Sequence, residues 1–354
     1  MRFSTTLAAS LFSIALASPS PDKRADTLSV TVTGPSTNAV DSVDGLTLTA
    51  EVTNNGAEAI KLLKYGTILD DLPTRSFAVS KNGSTVPFTG VKLQVAVSND
   101  NAYKTIQPGE TLSVTHNVAS LFDFASSGLG VFSFQPNTNF HIVGQEQDQA
   151  SLADFTVSTQ PIEVEITNNL VARNSAFKRA TPTCTDSAQL DFITASYEES
   201  RELATLASEY ISDNGASDDL FTAYFGSNSA SAVLDVVNGV RNENDSGRVL
   251  SCEDELDVCD GNVIAYTVIA TTDIYYCNIF FDEVDNQALC GGTTVNSRNI
   301  RGGTTLHELT HAVSDTDDVN YGCPTNQQLS TSQKLINADN YNCFATQVYA
   351  DTQC

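Results

Sequence analysis

The sequence predicts two domains of different class: an N-terminal all-β antiparallel sandwich-like domain, then a C-terminal α+β domain that is mainly helical with a small β-sheet. Apolar residues alternate with a period of two up to about residue 165 and recur every three or four from residue 187. All eight cysteines, Cys184, Cys252, Cys259, Cys277, Cys290, Cys323, Cys343 and Cys354, fall in the second half. Residues 166–183 between the halves are polar and lack either period, which marks a linker.

Residues 1–17 begin with a basic Arg2, continue through an apolar run at 7–16 and close on Ala15-Leu16-Ala17. That is the pattern of a secretory signal peptide with a small-x-small cleavage site. An exported protein meets an oxidising compartment, and no C-x-x-C is present, so the even cysteine count reads as disulfides rather than metal ligands. The 354 residues are 41% apolar, enough for real cores, and carry a net charge of −25 with no basic stripe, which excludes nucleic-acid binding. No segment is long and apolar enough for a membrane span, so a soluble, secreted monomer is expected.

Strands are predicted at residues 28–33, 46–53, 91–97, 112–115 and 162–166, separated by Asn-Gly, Pro-Gly and Asn-Asn turns. His116 and His141 in this half have no partner pattern and read as ordinary surface or core side chains. Asn82 and Asn244 stand in N-x-S triplets, the acceptor pattern for glycosylation. In the linker, Lys178-Arg179 is a dibasic pair just ahead of the first cysteine, where a kexin-type processing protease would reach an exposed loop. The expected products are a signal peptide at 1–17, a propeptide at 18–179 and a mature domain at 180–354. Beyond the linker, helices are predicted at 187–211, 220–240, 304–313 and 332–349, with strands at 263–268 and 274–281.

The chemistry concentrates in His307-Glu308-Leu309-Thr310-His311. Two histidines at i and i+4 share one helix face, the spacing of a zinc site whose glutamate serves as general base. A catalytic zinc needs one more protein ligand and an open position. No other histidine follows residue 179, and no glutamate follows His311. With the cysteines oxidised, an aspartate remains: Asp315, Asp317, Asp318, Asp339 or Asp351. Glu308 is positioned to take a proton from water and hand it to the leaving amine. The competing reading is a secreted, disulfide-rich binding or effector protein in which this helix is structural. A further alternative keeps the N-terminal sandwich in the product as a binding domain.

The segment Ser314-Asp315-Thr316-Asp317-Asp318-Val319-Asn320-Tyr321-Gly322 resembles the deuterolysins (neutral protease II), fungal secreted zinc metalloendopeptidases also called aspzincins. Their H-E-x-x-H is followed by G-T-x-x-D-x-x-Y-G; here Asp318, Tyr321 and Gly322 match, while Ser314-Asp315 replaces the Gly-Thr. The resemblance implies a zincin-like C-terminal domain in which Asp318 is the third zinc ligand and Tyr321 a transition-state hydrogen-bond donor. It extends through Asn337-Ala338-Asp339-Asn340-Tyr341 to the terminal Cys354, and implies a propeptide removed before secretion. The position of the sandwich and its lack of catalytic residues give it the expected role of assisting folding and keeping the site closed until cleavage. The resemblance also implies bridges Cys184–Cys252, Cys259–Cys277 and Cys290–Cys354, leaving Cys323–Cys343 as a fourth. In some relatives an acidic pair on the last helix selects lysine after the cleaved bond; Asp339 matches its first position as a substrate-binding residue, but Asn342 stands at the second. The alternative for Asp339 is support of a zinc ligand or a nearby backbone group. From residue 180 on, 27 Asp and Glu face 6 Lys and Arg, a balance of −21. That charge attracts cationic proteins, in line with the family's taste for basic substrates.

Overall fold

The computed structural model describes residues 27–143, 152–170 and 184–354. The expected signal peptide and the Lys178-Arg179 pair lie outside the described residues. Within them the N-terminal region is β-rich and the C-terminal region is mainly helical with a small sheet.

In the N-terminal region a three-stranded antiparallel sheet centres on Thr47–Asn54, flanked by Leu28–Thr33 and Thr111–Asn117. Its alternation sends Leu48, Ala50 and Val52 inward and Thr49 and Glu51 between them outward. Phe132 and Phe134 from a five-stranded sheet meet Phe124 edge-on and tilted in the core between them, and Phe77 of the same sheet meets Phe134 edge-on. The hairpin joining Phe77–Lys81 to Ser84–Thr85 turns at Asn82-Gly83, both at positive φ (51° and 79°), as a tight primed turn requires. The glycosylation candidates Asn82 and Asn244 are both exposed.

In the C-terminal region the helix Ser187–Asn214 is capped by the Asp186 carboxylate, which accepts from the Ala188 and Gln189 N–H groups. Its buried stripe, Ile193, Ser196, Ser200, Leu203, Ala204, Ala207 and Ile211, packs on Arg301–Ser314, Ala230–Arg241 and Ala338–Gln353. Two predicted helices are broken in the structure. The 220–240 stretch divides into Asp219–Phe225 and Ala230–Arg241 at Gly226, whose φ of 59° favours glycine. The 332–349 stretch divides into Thr331–Ile336 and Ala338–Gln353 at Asn337, which is extended because its side chain serves a neighbouring loop. The strand expected at 274–281 ends at Tyr276, and residues Asn278–Asp282 wind into a 3-10 turn. The cysteines pair as Cys184–Cys252, Cys259–Cys277, Cys290–Cys354 and Cys323–Cys343.

One difference from the sequence expectation bears on everything below. The segment expected as a sandwich strand at 91–97 forms Val91–Val95, which pairs antiparallel with Val263–Val268 in the C-terminal sheet. Alternation alone assigns a strand, not a sheet. Its odd residues, Val91, Leu93 and Val95, lie in the N-terminal core, while Lys92 and Gln94 find partners in the C-terminal region, Asp315 and the buried Arg298. All five residues are buried.

Candidate metal centre

The helix Arg301–Ser314 is buried on every side from Gly302 to His311. Gly302 and Gly303 permit this, because a Cβ on either would collide with Asn286 or Asn342. His307 and Glu308 are fully buried and His311 nearly so. The helix ends on Asp315 in the left-handed region (φ 53°), and the chain folds back so that Asp318 faces the two histidines. Asn337 fixes that loop: its Oδ1 accepts from the N–H groups of Val319 and Asn320, and its Nδ2 donates to the Asn320 carbonyl.

The sequence-predicted residues His307, His311 and Asp318 come together. His307 Nε2 lies 3.0 Å from Asp318 Oδ1 and 3.1 Å from His311 Nε2, and His311 Nε2 lies 3.1 Å from Asp318 Oδ1. Ligand atoms on bonds of 2.0–2.1 Å at tetrahedral angles stand about 3.3 Å apart, so the triangle has the size of one face of a zinc tetrahedron. The chemistry of the donors agrees. His311 Nδ1–H donates to the Thr316 carbonyl at 2.7 Å, which leaves its Nε2 as the lone-pair nitrogen turned to the triangle. On the far side of the other imidazole, His307 Nδ1 faces Asp339 Oδ1 at 3.7 Å.

Glu308 sits beside the triangle with its two oxygens in different states. Oε2 accepts from Thr267 Oγ1 at 2.6 Å, while the buried Oε1 has no hydrogen-bond partner. Burial pushes its carboxyl up to about 8, against the opposing pull of His307. Burial also works against ionisation of Asp318, but the two histidines beside it outweigh that and hold it well below the usual carboxylate range. Tyr321 is buried, with its phenol pushed well up, and its OH donates to the Leu93 carbonyl at 2.8 Å.

Asp339 lies among backbone and side-chain donors, one of which, Arg298, the sequence did not foresee. Its Oδ1 accepts from Arg298 Nε and Nη2 at 3.1 and 2.8 Å, and its Oδ2 from the Gly322 N–H and Asn326 Nδ2, both at 2.8 Å. Sequence reasoning missed Arg298, whose only signal was being one of six basic residues in an acidic half, and Thr267, which carried none; Asn337 stood in the family-like segment but was given no role. The inserted strand closes the site: the Leu93 N–H donates to Asp318 Oδ2 at 2.7 Å, and Lys92 Nζ reaches Asp315 Oδ1 at 2.6 Å and Asp317 Oδ1 at 3.0 Å.

A sequence profile of the Deuterolysin metalloprotease (M35) family matches residues 1–354. A neutral protease 2 homolog of Pyricularia oryzae is 32% identical over 315 residues, covering 84% of this chain and 86% of its own. A peptidyl-Lys metalloendopeptidase of Armillaria mellea is 27% identical over 337 residues, covering 90% and 91%. Among solved structures, a zinc peptidase from Grifola frondosa aligns with 46% of this chain and 96% of its own, at 20% identity and a TM-score of 0.39. By its profile match over the whole length and by these relatives, the chain belongs to the deuterolysin (M35) family and is a metalloendopeptidase.

Proposed function

We propose that the chain is the zymogen of a secreted zinc metalloendopeptidase, with one zinc held by His307, His311 and Asp318. The observation that carries this reading is the triangle of three ligand atoms beside Glu308, whose buried Oε1 is left without a partner. Zinc in that position would supply Lewis-acid chemistry, activating water and polarising a carbonyl. Thr267 holds one Glu308 oxygen, so the other is presented to the attacking water as its proton acceptor. The same carboxyl then returns the proton to the leaving nitrogen. Tyr321 OH donates to the carbonyl oxygen on which negative charge builds. No covalent enzyme intermediate is needed. Glu308→Gln keeps the three ligands and removes the base: turnover should fall by at least about 100-fold while metal analysis still finds about one zinc per chain. Full activity in that variant would refute the scheme.

The strand Val91–Val95 supports latency. It lies across the zinc ligands and Tyr321, and its two ends run back into the N-terminal region, with the Val91 N–H on the Pro73 carbonyl. Residues 18–179 act as the propeptide on this reading, removed by a kexin-type protease after Lys178-Arg179. The mass of the secreted form tests this, and a full-length active product would overturn it. The −21 balance after residue 179, together with the seat of Lys92 between Asp315 and Asp317, supports a preference for cationic proteins. Among the described residues no helix is long and apolar enough to cross a membrane.

A further inference from the structure

The strand Val91–Val95 presents one peptide bond to the candidate catalytic groups. The Leu93 carbonyl accepts from Tyr321 OH, and the amide that follows it, the Gln94 N–H, approaches the Glu308 carboxylate. The C–N bond between Leu93 and Gln94 is thus bracketed by a carbonyl-side donor and by the carboxyl that would protonate a leaving nitrogen. One residue on, opposite the Gln94–Val95 bond, the pairing with Val263–Val268 slips by one residue between Val263 and Ala265, an irregularity of the kind found beside active sites. Alternation then sends consecutive side chains to opposite faces. Leu93 enters the N-terminal core, and Gln94 enters the C-terminal region, where its Oε1 accepts from Arg298 Nη2 at 2.9 Å.

We propose that Arg298 selects the side chain immediately after the cleaved bond, and that it selects an uncharged hydrogen-bond acceptor, glutamine above all, against lysine. This rests on the reading of the cleft as a peptidase site. Arg298 is built for a fixed position. It lies in the left-handed region (φ 50°), which non-glycine residues seldom adopt, and its side chain is 5% exposed. Two of its nitrogens are tied to Asp339, and Nη1 donates to the Val95 carbonyl at 3.3 Å, so it grips the backbone as well as the side chain of the primed stretch.

Charge decides what fits. The guanidinium and the Asp339 carboxylate cancel, and a neutral glutamine keeps that balance. A lysine ammonium at the same place would meet donors and a like charge, with the Asp339 carboxylate already spent on Arg298, Gly322 and Asn326, and with Glu283, the other acid near Arg298, pushed toward its neutral form by burial. Only the oxygen of Gln94 is read: its Nε2 is buried with no acceptor in reach. Asparagine, which offers the same oxygen on a shorter stem, should rank next.

The test uses the full chain, expressed and activated by cleavage after Arg179. It receives a synthetic peptide of residues 89–97 mixed with the same peptide carrying lysine in place of the glutamine, and the products are read by mass spectrometry. We expect the first to be cut between its leucine and glutamine, at least about tenfold faster than the second, because a site built to hydrogen-bond a side chain rejects one that cannot reciprocate. Arg298→Met should remove that preference, a ratio within one digest that does not depend on how much active enzyme survives; Arg298→Lys, with one donor group in place of a fork, should retain less than the native ratio. Equal or faster cutting of the lysine peptide, cutting at another bond, or a preference that survives Arg298→Met would overturn the assignment. Should Arg298→Met fail to fold, the native protein's choice between the two peptides decides. Casein digestion separates the two levels: no digestion refutes the peptidase reading and this assignment with it, whereas digestion without a glutamine preference removes the role of Arg298 alone.

Discussion

On the proposed zymogen reading, Lys92 sets how firmly Val91–Val95 holds the cleft shut. Its side chain is 4% exposed, and its ammonium contacts Asp315 Oδ1 at 2.6 Å, Asp317 Oδ1 at 3.0 Å and the Thr316 carbonyl at 2.6 Å. Truncating one partner of a buried, hydrogen-bonded charge pair costs about 3–5 kcal/mol. Here Asp315 is 71% and Asp317 33% exposed, so solvent screens part of that, and about 2–3 kcal/mol is the fitting figure for Lys92→Ala. At 1.4 kcal/mol per tenfold, the population with an open cleft rises about 30- to 150-fold. The assay is hydrolysis of a fluorogenic peptide by the unprocessed chain, with Lys178 and Arg179 replaced by alanine so that no activation intervenes. Arg75→Ala is the internal control: Arg75 also pairs with Asp317, at 3.1 Å, but both partners are about a third exposed. That pair is worth about 1 kcal/mol or less, so basal activity should rise by less than about fivefold. If Lys92→Ala leaves basal hydrolysis unchanged while the protein stays folded, the strand is not what keeps the cleft shut.

Two further outcomes concern stability. Replacing Cys323 and Cys343 with alanine opens a loop of 20 residues between the ligand segment and the last helix, and should cost about 3 kcal/mol in chemical denaturation. Glu283 is buried and pushed up to about 8 by that burial, with Thr304 Oγ1 and Arg298 opposing. A carboxyl that keeps its proton in the fold but loses it near 4.5 when unfolded makes stability fall as pH rises from about 4.5 to 8, by at most about 1.4 kcal/mol per pH unit. Glu283→Gln should flatten that slope when denaturation midpoints are compared across the range.

What the sequence disclosed followed from how local each feature is. His307, Glu308 and His311 occupy little more than one helical turn, so spacing alone reports their shared face. Asp318 lies across a loop whose course no periodicity describes, and only a family pattern singled it out. Arg298 meets Gln94 across 204 positions and Tyr321 meets Leu93 across 228; no local signal encodes such pairs. The strand at Val91–Val95 was legible as a strand, but its choice of sheet depended on partners for Lys92 and Gln94 that only the folded chain supplies. The break at Asn337 was hidden for a similar reason: its amide does more for Val319 and Asn320 than it would within a continuous helix.

The ladder between Val91–Val95 and Val263–Val268 has a further consequence if the first of these leaves with the proposed propeptide. Val263–Val268 then becomes a bare rim of the sheet, with a row of unsatisfied amides and carbonyls facing the cleft. Only a segment that can straighten and offer its own backbone groups in register will satisfy that row. Helices and paired strands in a folded target cannot do so without first unravelling. The mature protein should therefore cut where its targets fray, at exposed loops and chain ends, and leave their packed cores until those have come apart.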